Sequence, residues 1–352
     1  MGLDDARFAV RLMGSCTVVS VVLLAAGAGS ASALPAEPKG CSGNGSALVT
    51  CDFDVPPGRY RVALMLPREQ SSAITVSAEA RRTVLTQTSS GRRPPTFAVD
   101  VREPEGEPTA QGGSGTPGLQ LRISASDGSP VAVTAVRVTA LRHVRTLFLA
   151  GDSTVCDQAN PPYTGWGQQL PQYFDQHLMV ANYADSGESS GSFLDNEALM
   201  PAMERRINPG DFVMVQFGHN DKTTTAVDYR RNLGQIIDRI AARGGRAILV
   251  TPPVRQLFGA DGKLTPTALH VNSLGVNLPD EMRSLAAERE LPLIDLTAGS
   301  QELLQSLGPS ESSVLYLPQK KDRTHFSEYG ADRMAQVVLA AAPISLRRYL
   351  RQ

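Results

Sequence analysis

The sequence predicts an α/β domain built on a parallel sheet and preceded by a β-sandwich. Two patterns of apolar residues carry that prediction. Up to about residue 145, apolar residues alternate with others in short runs separated by Gly, Pro and Ser. That is the period of half-buried strands. From Thr146 onward, short continuous apolar runs alternate with stretches whose apolar residues recur at helical spacing. Strands alternating with helices imply a parallel sheet covered on both faces. A third feature sits at the change of pattern. The run Thr146-Leu147-Phe148-Leu149-Ala150 reads as a strand, breaks at Gly151, and reaches Asp152 and Ser153 at once. A buried strand ending this way can hold a hydroxyl at the carboxyl edge of a sheet, where open α/β folds place their sites. A serine at such a turn also suits a helix cap.

The chain has 352 residues, enough for roughly two domains of about 150 residues each. Residues 1–33 read as an export signal: Arg7 and Arg11 at the positive end, the apolar run Val18 to Ala28, and the small-residue site Ala31-Ser32-Ala33. The apolar run is too short to span a bilayer comfortably, and Cys16 precedes it, where a lipid-anchoring cysteine does not belong. The expectation is a secreted protein with no membrane attachment in its mature form. Charges nearly cancel, with 34 Lys+Arg against 35 Asp+Glu. That balance offers no case for nucleic acid or an anionic membrane as a partner. In an oxidising compartment Cys41 and Cys51 form the natural disulfide pair. Cys156 is left over. It is either a nucleophile near the site or a buried structural thiol.

Residues 34–145 form the expected β-sandwich. Pro35 to Ser46 reads as a linker or lead-in. Tyr60, Val62, Leu64 and Leu66 share one strand face. Phe97, Val99 and Val101 share another, as do Leu119, Leu121 and Ile123, and then Val136 and Val138. Glu103 to Gly118, rich in Gly, Pro and Glu, reads as a long loop. The module carries no catalytic cluster; its one histidine, His143, lies at its end. Two roles stay open for it, carbohydrate binding and packing against the next domain.

Residues 146–352 form the expected catalytic domain. Phe212 to Val215, Ala247 to Val250 and Leu291 to Leu296 read as buried strands. Leu233, Ile236, Ile237 and Ile240 fall on one helix face, which Gly244 ends. A last helix opens near Ser327 and buries Met334, Val337, Val338 and Ala341.

Four clusters fall at the ends of these elements: Gly151-Asp152-Ser153, Asp185-Ser186-Gly187-Glu188-Ser189, Phe217-Gly218-His219-Asn220-Asp221, and Asp322 to Ser327. In one sheet they converge on one edge. The chemistry such a convergence allows is acyl transfer. A serine hydroxyl needs a base within hydrogen-bond reach. Histidine suits that role because its pKa lies near the working pH, and a carboxylate on its far nitrogen fixes the tautomer. Ser153, His325 and Asp322 are the candidate catalytic residues, with Asp322 and His325 held together by a loop. The oxyanion needs pre-placed donors, each worth roughly 3 kcal/mol. The backbone N–H groups of Ser153 and Gly187 and the Asn220 amide are the candidates. Asp152 and Asp221 brace their own turns, and His219 is a local hydrogen-bonding residue. His177 and His270 lack acidic or serine company and are assigned to the surface. No grouping has metal spacing, so neither a metal nor another cofactor is expected.

These residues resemble the SGNH, or GDSL-like, hydrolase family, whose four letters correspond here to Ser153, Gly187, Asn220 and His325. The closer resemblance is to its rhamnogalacturonan acetylesterase branch, through Gly151 to Asp157, Gly165-Trp166-Gly167, Gly218-His219-Asn220-Asp221, and Asp322-x-Thr324-His325-x-Ser327-x-x-Gly330-Ala331. The β-rich module resembles the galactose-binding-type domain that precedes some members. The resemblance implies a flavodoxin-like three-layer fold and removal of acetyl groups from pectic polysaccharide. Several relatives carry Gly-Arg-Ser where this chain has Gly187-Glu188-Ser189, and a carboxylate at that rim would disfavour a uronic-acid polymer. The expected substrate is therefore an acetylated polysaccharide or a small ester. A general carboxylesterase or lipase, and a carbohydrate-binding protein with a silent hydrolase domain, are the competing readings.

Overall fold

Among the described residues two antiparallel sheets come first and a five-stranded parallel sheet follows. The computed structural model describes residues 38–68, 70, 72–87, 94–102 and 117–351. The expected export signal and most of the expected loop Glu103–Gly118 lie outside them.

The first antiparallel sheet contains β1 (Cys41–Ser42), β2 (Leu48–Phe53), β4 (Ile74–Ala78), β5 (Arg82–Gln87) and β7 (Leu119–Ala125), in the order β1-β2-β7-β4-β5. The second has β3 (Gly58–Met65) between β6 (Thr96–Val101) and β8 (Ala135–Ala140). Alternation decides what each strand buries. Tyr60, Val62 and Leu64 of β3 face inward with Leu119, Leu121 and Ile123 of β7, and Val136 and Val138 pack half-buried against them. Leu66 lies just past the end of β3. The described part of the lead-in expected over Pro35 to Ser46 contains β1. Cys41 lies opposite Cys51 in the β1–β2 register, and the two are disulfide-bonded. That covalent link lets a two-residue strand persist among Gly and Ser.

The parallel sheet consists of β9 (Arg145–Ala150), β10 (Leu178–Asn182), β11 (Phe212–Val215), β12 (Arg246–Val250) and β13 (Leu293–Ile294), in the order β10-β9-β11-β12-β13. This is the flavodoxin-like order, whose switch point lies between the first and third strands. Neighbouring strand residues bury opposite faces. Phe148, Ala150, Val213 and Val215 pack under α2 (Ser190–Asp195), α3 (Met200–Arg206), α4 (Ala226–Ala242) and α5 (Leu278–Glu288). Leu147, Leu149, Met214 and Ile248 pack under α1 (Trp166–Gln169), α6 (Leu296–Glu311), α7 (Glu328–Ala340) and α8 (Ile344–Arg347). The result is three layers.

Three expectations are corrected here. The run Leu291 to Leu296 is a strand only over Leu293–Ile294, because Asp295 accepts from the Ala298 N–H and caps α6 at once. Helix α7 buries Met334, Ala335, Val338 and Leu339, while Ala341 is its exposed C-cap. The Asp322–His325 segment is not a loop. It is a short strand, β15 (Asp322–Phe326), paired antiparallel with β14 (Tyr316–Leu317).

Candidate active site

Four loops leave the carboxyl edge of the parallel sheet or stand beside it. The loop after β9 carries Ser153. Its geometry is set by Asp152, whose carbonyl accepts from the Val155 and Cys156 N–H groups. The Asp152 carboxylate accepts from the Thr154 N–H and hydroxyl and from the Gln216 amide. Gly151 is needed here for space, not for an unusual φ. A Cβ on it would meet Val155 Cγ2 at 2.6 Å and the Gln216 carbonyl at 3.1 Å.

Ser153 Oγ lies 2.9 Å from His325 Nε2. His325 Nδ1 lies 2.7 Å from Asp322 Oδ2. The second Asp322 oxygen accepts the Thr324 and His325 backbone N–H groups, so the carboxylate is fixed by its own chain before it meets the ring. Burial raises the Asp322 pKa, but the donors from His325 and Thr324 outweigh it and hold the carboxyl below its ordinary value. Strand β15 is itself anchored: Gln256 N–H donates to the Arg323 carbonyl, and Thr164 N–H to the Phe326 carbonyl. The Tyr163 ring meets His325 edge-on with centroids 5.6 Å apart.

The candidate oxyanion donors converge on the same edge. Gly187 follows β10 with φ +86°, a conformation that favours glycine. Among the described residues, the backbone N–H groups of Ser153 and Gly187 donate to no protein acceptor. Asn220 uses one amide hydrogen on the Glu188 carbonyl at 3.0 Å, which leaves its second for a ligand.

The neighbours differ from expectation in several places. Asp221 does more than brace its own turn. It accepts from the Ser190 hydroxyl at 2.6 Å and from the Ser190 N–H, so it joins the β11 loop to the start of α2. His270 is buried, not superficial. Its Nε2 donates to the Pro253 carbonyl at 2.7 Å and its ring stands edge-on to His219. His219 is buried with Nδ1 3.3 Å from Asp152 Oδ2. Burial pushes the Asp152 carboxyl up, but His219 and the Thr154 donors more than offset this and bring it to about 2. Burial drives both imidazoles down, His270 well below the usual range. His177 is exposed. The Glu188 carboxylate turns back onto α2, where it accepts from the Ser192 hydroxyl and the Asn196 amide. That contact holds the carboxylate against α2 through neutral donors, which fix its direction and leave its charge in place. Cys156 is a buried free thiol whose pKa burial pushes well up, which argues against a nucleophile.

Sequence reasoning missed Gln216, Arg255 and Gln158. Gln216 accepts from Trp166 Nε1 at 2.9 Å and donates to Asp152. Arg255 donates to Thr324 Oγ1 and the His219 carbonyl, tying the His325 strand to the β11 loop. Gln158 Nε2 donates to the Ser153 carbonyl at 2.8 Å. Gln216 and Arg255 follow the ends of β11 and β12, the positional signal that would have found them. Among the described residues no group of three or more His, Cys, Asp or Glu is arranged to hold a metal ion, and no helix is long and apolar enough to cross a membrane.

Residues 149–333 match the GDSL-like Lipase/Acylhydrolase family. The chain belongs to this family. It is an esterase of the SGNH type, and the matched span contains all four loops. The chain is 35% identical over 209 residues to the rhamnogalacturonan acetylesterase RhgT of Bacillus subtilis (strain 168), a match covering 54% of this chain and 87% of that one. It is 29% identical over 303 residues to the uncharacterized esterase YxiM of the same organism, covering 82% of this chain and 73% of that one. The crystal structure of YxiM superposes with a TM-score of 0.52 at 27% identity, covering 86% of this chain and 80% of that one. The similarity to YxiM therefore extends into the β-rich region.

Proposed function

We propose that this chain is a secreted serine acetylesterase that removes acetyl groups from a polysaccharide. The observation that carries the reading is the continuous relay from Ser153 Oγ through His325 to Asp322, at 2.9 and 2.7 Å. Ser153 attacks the acetyl carbonyl as His325 Nε2 takes its proton. Asp322 holds the ring in the tautomer whose Nε2 is free to accept, and stabilises the imidazolium that forms. The Ser153 and Gly187 N–H groups and the Asn220 amide receive the oxyanion. His325 returns the proton to the departing sugar hydroxyl, which leaves an acetyl-serine. Water, deprotonated by His325, then attacks that ester, and His325 returns the proton to Ser153 Oγ as acetate leaves.

The identity to RhgT supports an acetylated pectic backbone as substrate. The Cys41–Cys51 disulfide supports an oxidising compartment. The test compares acetate release from acetylated rhamnogalacturonan, acetylated xylan and a small acetyl ester, with wild type and Ser153→Ala. Release from the rhamnogalacturonan should exceed release from xylan, and Ser153→Ala should lose at least ~10³-fold on every substrate while keeping its fold. Turnover confined to the small ester would replace the polysaccharide reading with a general carboxylesterase. Near-normal turnover in Ser153→Ala would remove Ser153 as the nucleophile.

A further inference from the structure

One turn of the β-rich region reaches the nucleophile loop. Between β4 and β5, residues Glu79 and Arg81 both adopt positive φ, 52° and 61°. Non-glycine residues adopt that conformation at a cost, and it persists where the surroundings over-determine it. Glu79 is held within its own region by the Gln120 backbone, while Ala80 and Arg81 meet the segment that follows Ser153. The Ala80 carbonyl accepts from Gln168 Nε2 at 2.8 Å. Arg81 Nη1 donates to the Gln158 carbonyl at 2.9 Å and to the Tyr163 carbonyl at 3.1 Å. Arg82 Nε donates to Asp157 Oδ2 at 2.8 Å, and Nη2 lies equally close, with both side chains wholly buried.

Two of these contacts reach residues that touch the Ser153–His325 pair. Gln158 donates through Nε2 to the carbonyl of Ser153 itself. Tyr163 packs edge-on against the His325 ring. Asp157 accepts from Asn182 Nδ2 at 2.8 Å, and the same nitrogen donates to the Val155 carbonyl. Asn182 is the last residue of β10, whose loop leads to Gly187. A buried Arg–Asp pair is a poor way to glue two regions, since its desolvation offsets much of its attraction and apolar side chains of similar volume would serve as well. Here the pair aims the second Asp157 oxygen at Asn182.

We infer that Arg81 and Arg82 are positioning residues for the Ser153–His325 pair, so that the β-rich region completes the active site and is not an independent appendage. The inference rests on the reading of Ser153 and His325 as nucleophile and base. A contrasting tie exists elsewhere between the same regions: Arg59 Nη2 donates to the Arg206 carbonyl at 2.9 Å. Arg206 lies at the end of α3, ahead of β11, on the side of the sheet where the strands begin.

The experiment measures kcat and KM on 4-nitrophenyl acetate, the rate at which a serine-reactive phosphonate modifies Ser153, and thermal unfolding. For Arg81→Met we expect kcat and the phosphonate rate to fall together by about ten-fold, with KM within about two-fold, the signature of a misplaced nucleophile. Arg81→Lys should recover part of the loss. Arg82→Met alone strands a buried carboxylate and can unfold the chain, so Arg82→Met is combined with Asp157→Leu to remove both charges. The folded double variant should show the same kind of loss. Arg59→Met should keep wild-type kcat. Wild-type turnover in Arg81→Met, or an equal loss in Arg59→Met, overturns the proposal. An inactive Ser153→Ala beside a fully active Arg81→Met removes the positioning role alone. A Ser153→Ala that still turns over removes the reading of the site, and this proposal with it.

Discussion

The two regions bury polarity in different ways. Between its two sheets the β-rich region closes on Val49, Val62, Leu64, Val76, Leu121 and Ile123, all with no exposed surface. Among the described residues its buried charges are Arg82, Asp100 and Arg102. Arg82 pairs with Asp157, Asp100 pairs with Arg206, and Arg102 lies over the Tyr183 ring, so all three meet the parallel-sheet region. The parallel-sheet region instead buries Asp152, Thr154, Asp157, Asn182, Ser190, Gln216, His219 and Asp221 along one edge. The difference follows from backbone accounting. Strands in a ladder satisfy one another's N–H and C=O groups, so side chains between sheets are free to be apolar. Loops leaving a sheet edge have no ladder partner, and polar side chains must supply the missing bonds. A site built from such loops inherits a rigid polar frame.

A pair of asparagines sharpens this contrast with the largest expected effect. Asn220 belongs to the edge, while Asn44 Oδ1 accepts the buried Val133 N–H at 2.7 Å inside the β-rich region. Asn220→Ala should lower kcat by ~10²–10³-fold with a smaller change in KM, because the donor acts on the developing oxyanion. Asn44→Ala should leave kcat intact and cost about 1–3 kcal/mol in denaturant unfolding, the penalty of a stranded buried donor. The contrast breaks if Asn44→Ala reduces turnover, or if Asn220→Ala changes KM alone.

Acid separates the regions next. His219 and His270 are both buried with lowered pKa values, and both lie in the parallel-sheet region. A histidine whose folded pKa is lowered takes up its proton in the unfolded chain first. Stability is therefore level above about pH 6.5 and falls as pH drops below it, by up to about 1.4 kcal/mol per pH unit for each such group. Asp152, held at about 2, adds a further loss as pH falls below about 4. Urea unfolding between pH 7.5 and 5 should show this slope, and His270→Asn should reduce it even where it lowers stability at all pH values. A slope unchanged in that variant would mean that His270 already carries its proton in the fold.

The smallest effect is expected at Glu188. Because its carboxylate is engaged by Ser192 and Asn196, Glu188→Gln should change kcat/KM on acetylated rhamnogalacturonan by less than about two-fold at low salt. A large gain that shrinks as salt rises would restore Glu188 as a repulsive group facing the polymer.

Much of the architecture follows from the sequence by itself. Alternation over Tyr60–Leu64 and Leu119–Ile123 and the continuous runs at Phe212 and Ala247 separate antiparallel from parallel strands, because a strand buried on one face must alternate and one buried on both must not. The i, i+3, i+4, i+7 face of Leu233, Ile236, Ile237 and Ile240 is likewise read directly, while the family motifs name Ser153, Gly187, Asn220 and His325 together. Only the tertiary structure decided the rest. A positive φ, 60° at His270, carries no periodic signal, so nothing near it in sequence marks it as buried against His219. The Glu188 side chain was free to face substrate or helix until α2 offered it two donors. Arg82 and Asp157 lie 75 positions apart. An arginine beside another at the start of a strand reads as solvent-facing, and only the docking of one region on the other turns it into a buried ion pair behind the nucleophile.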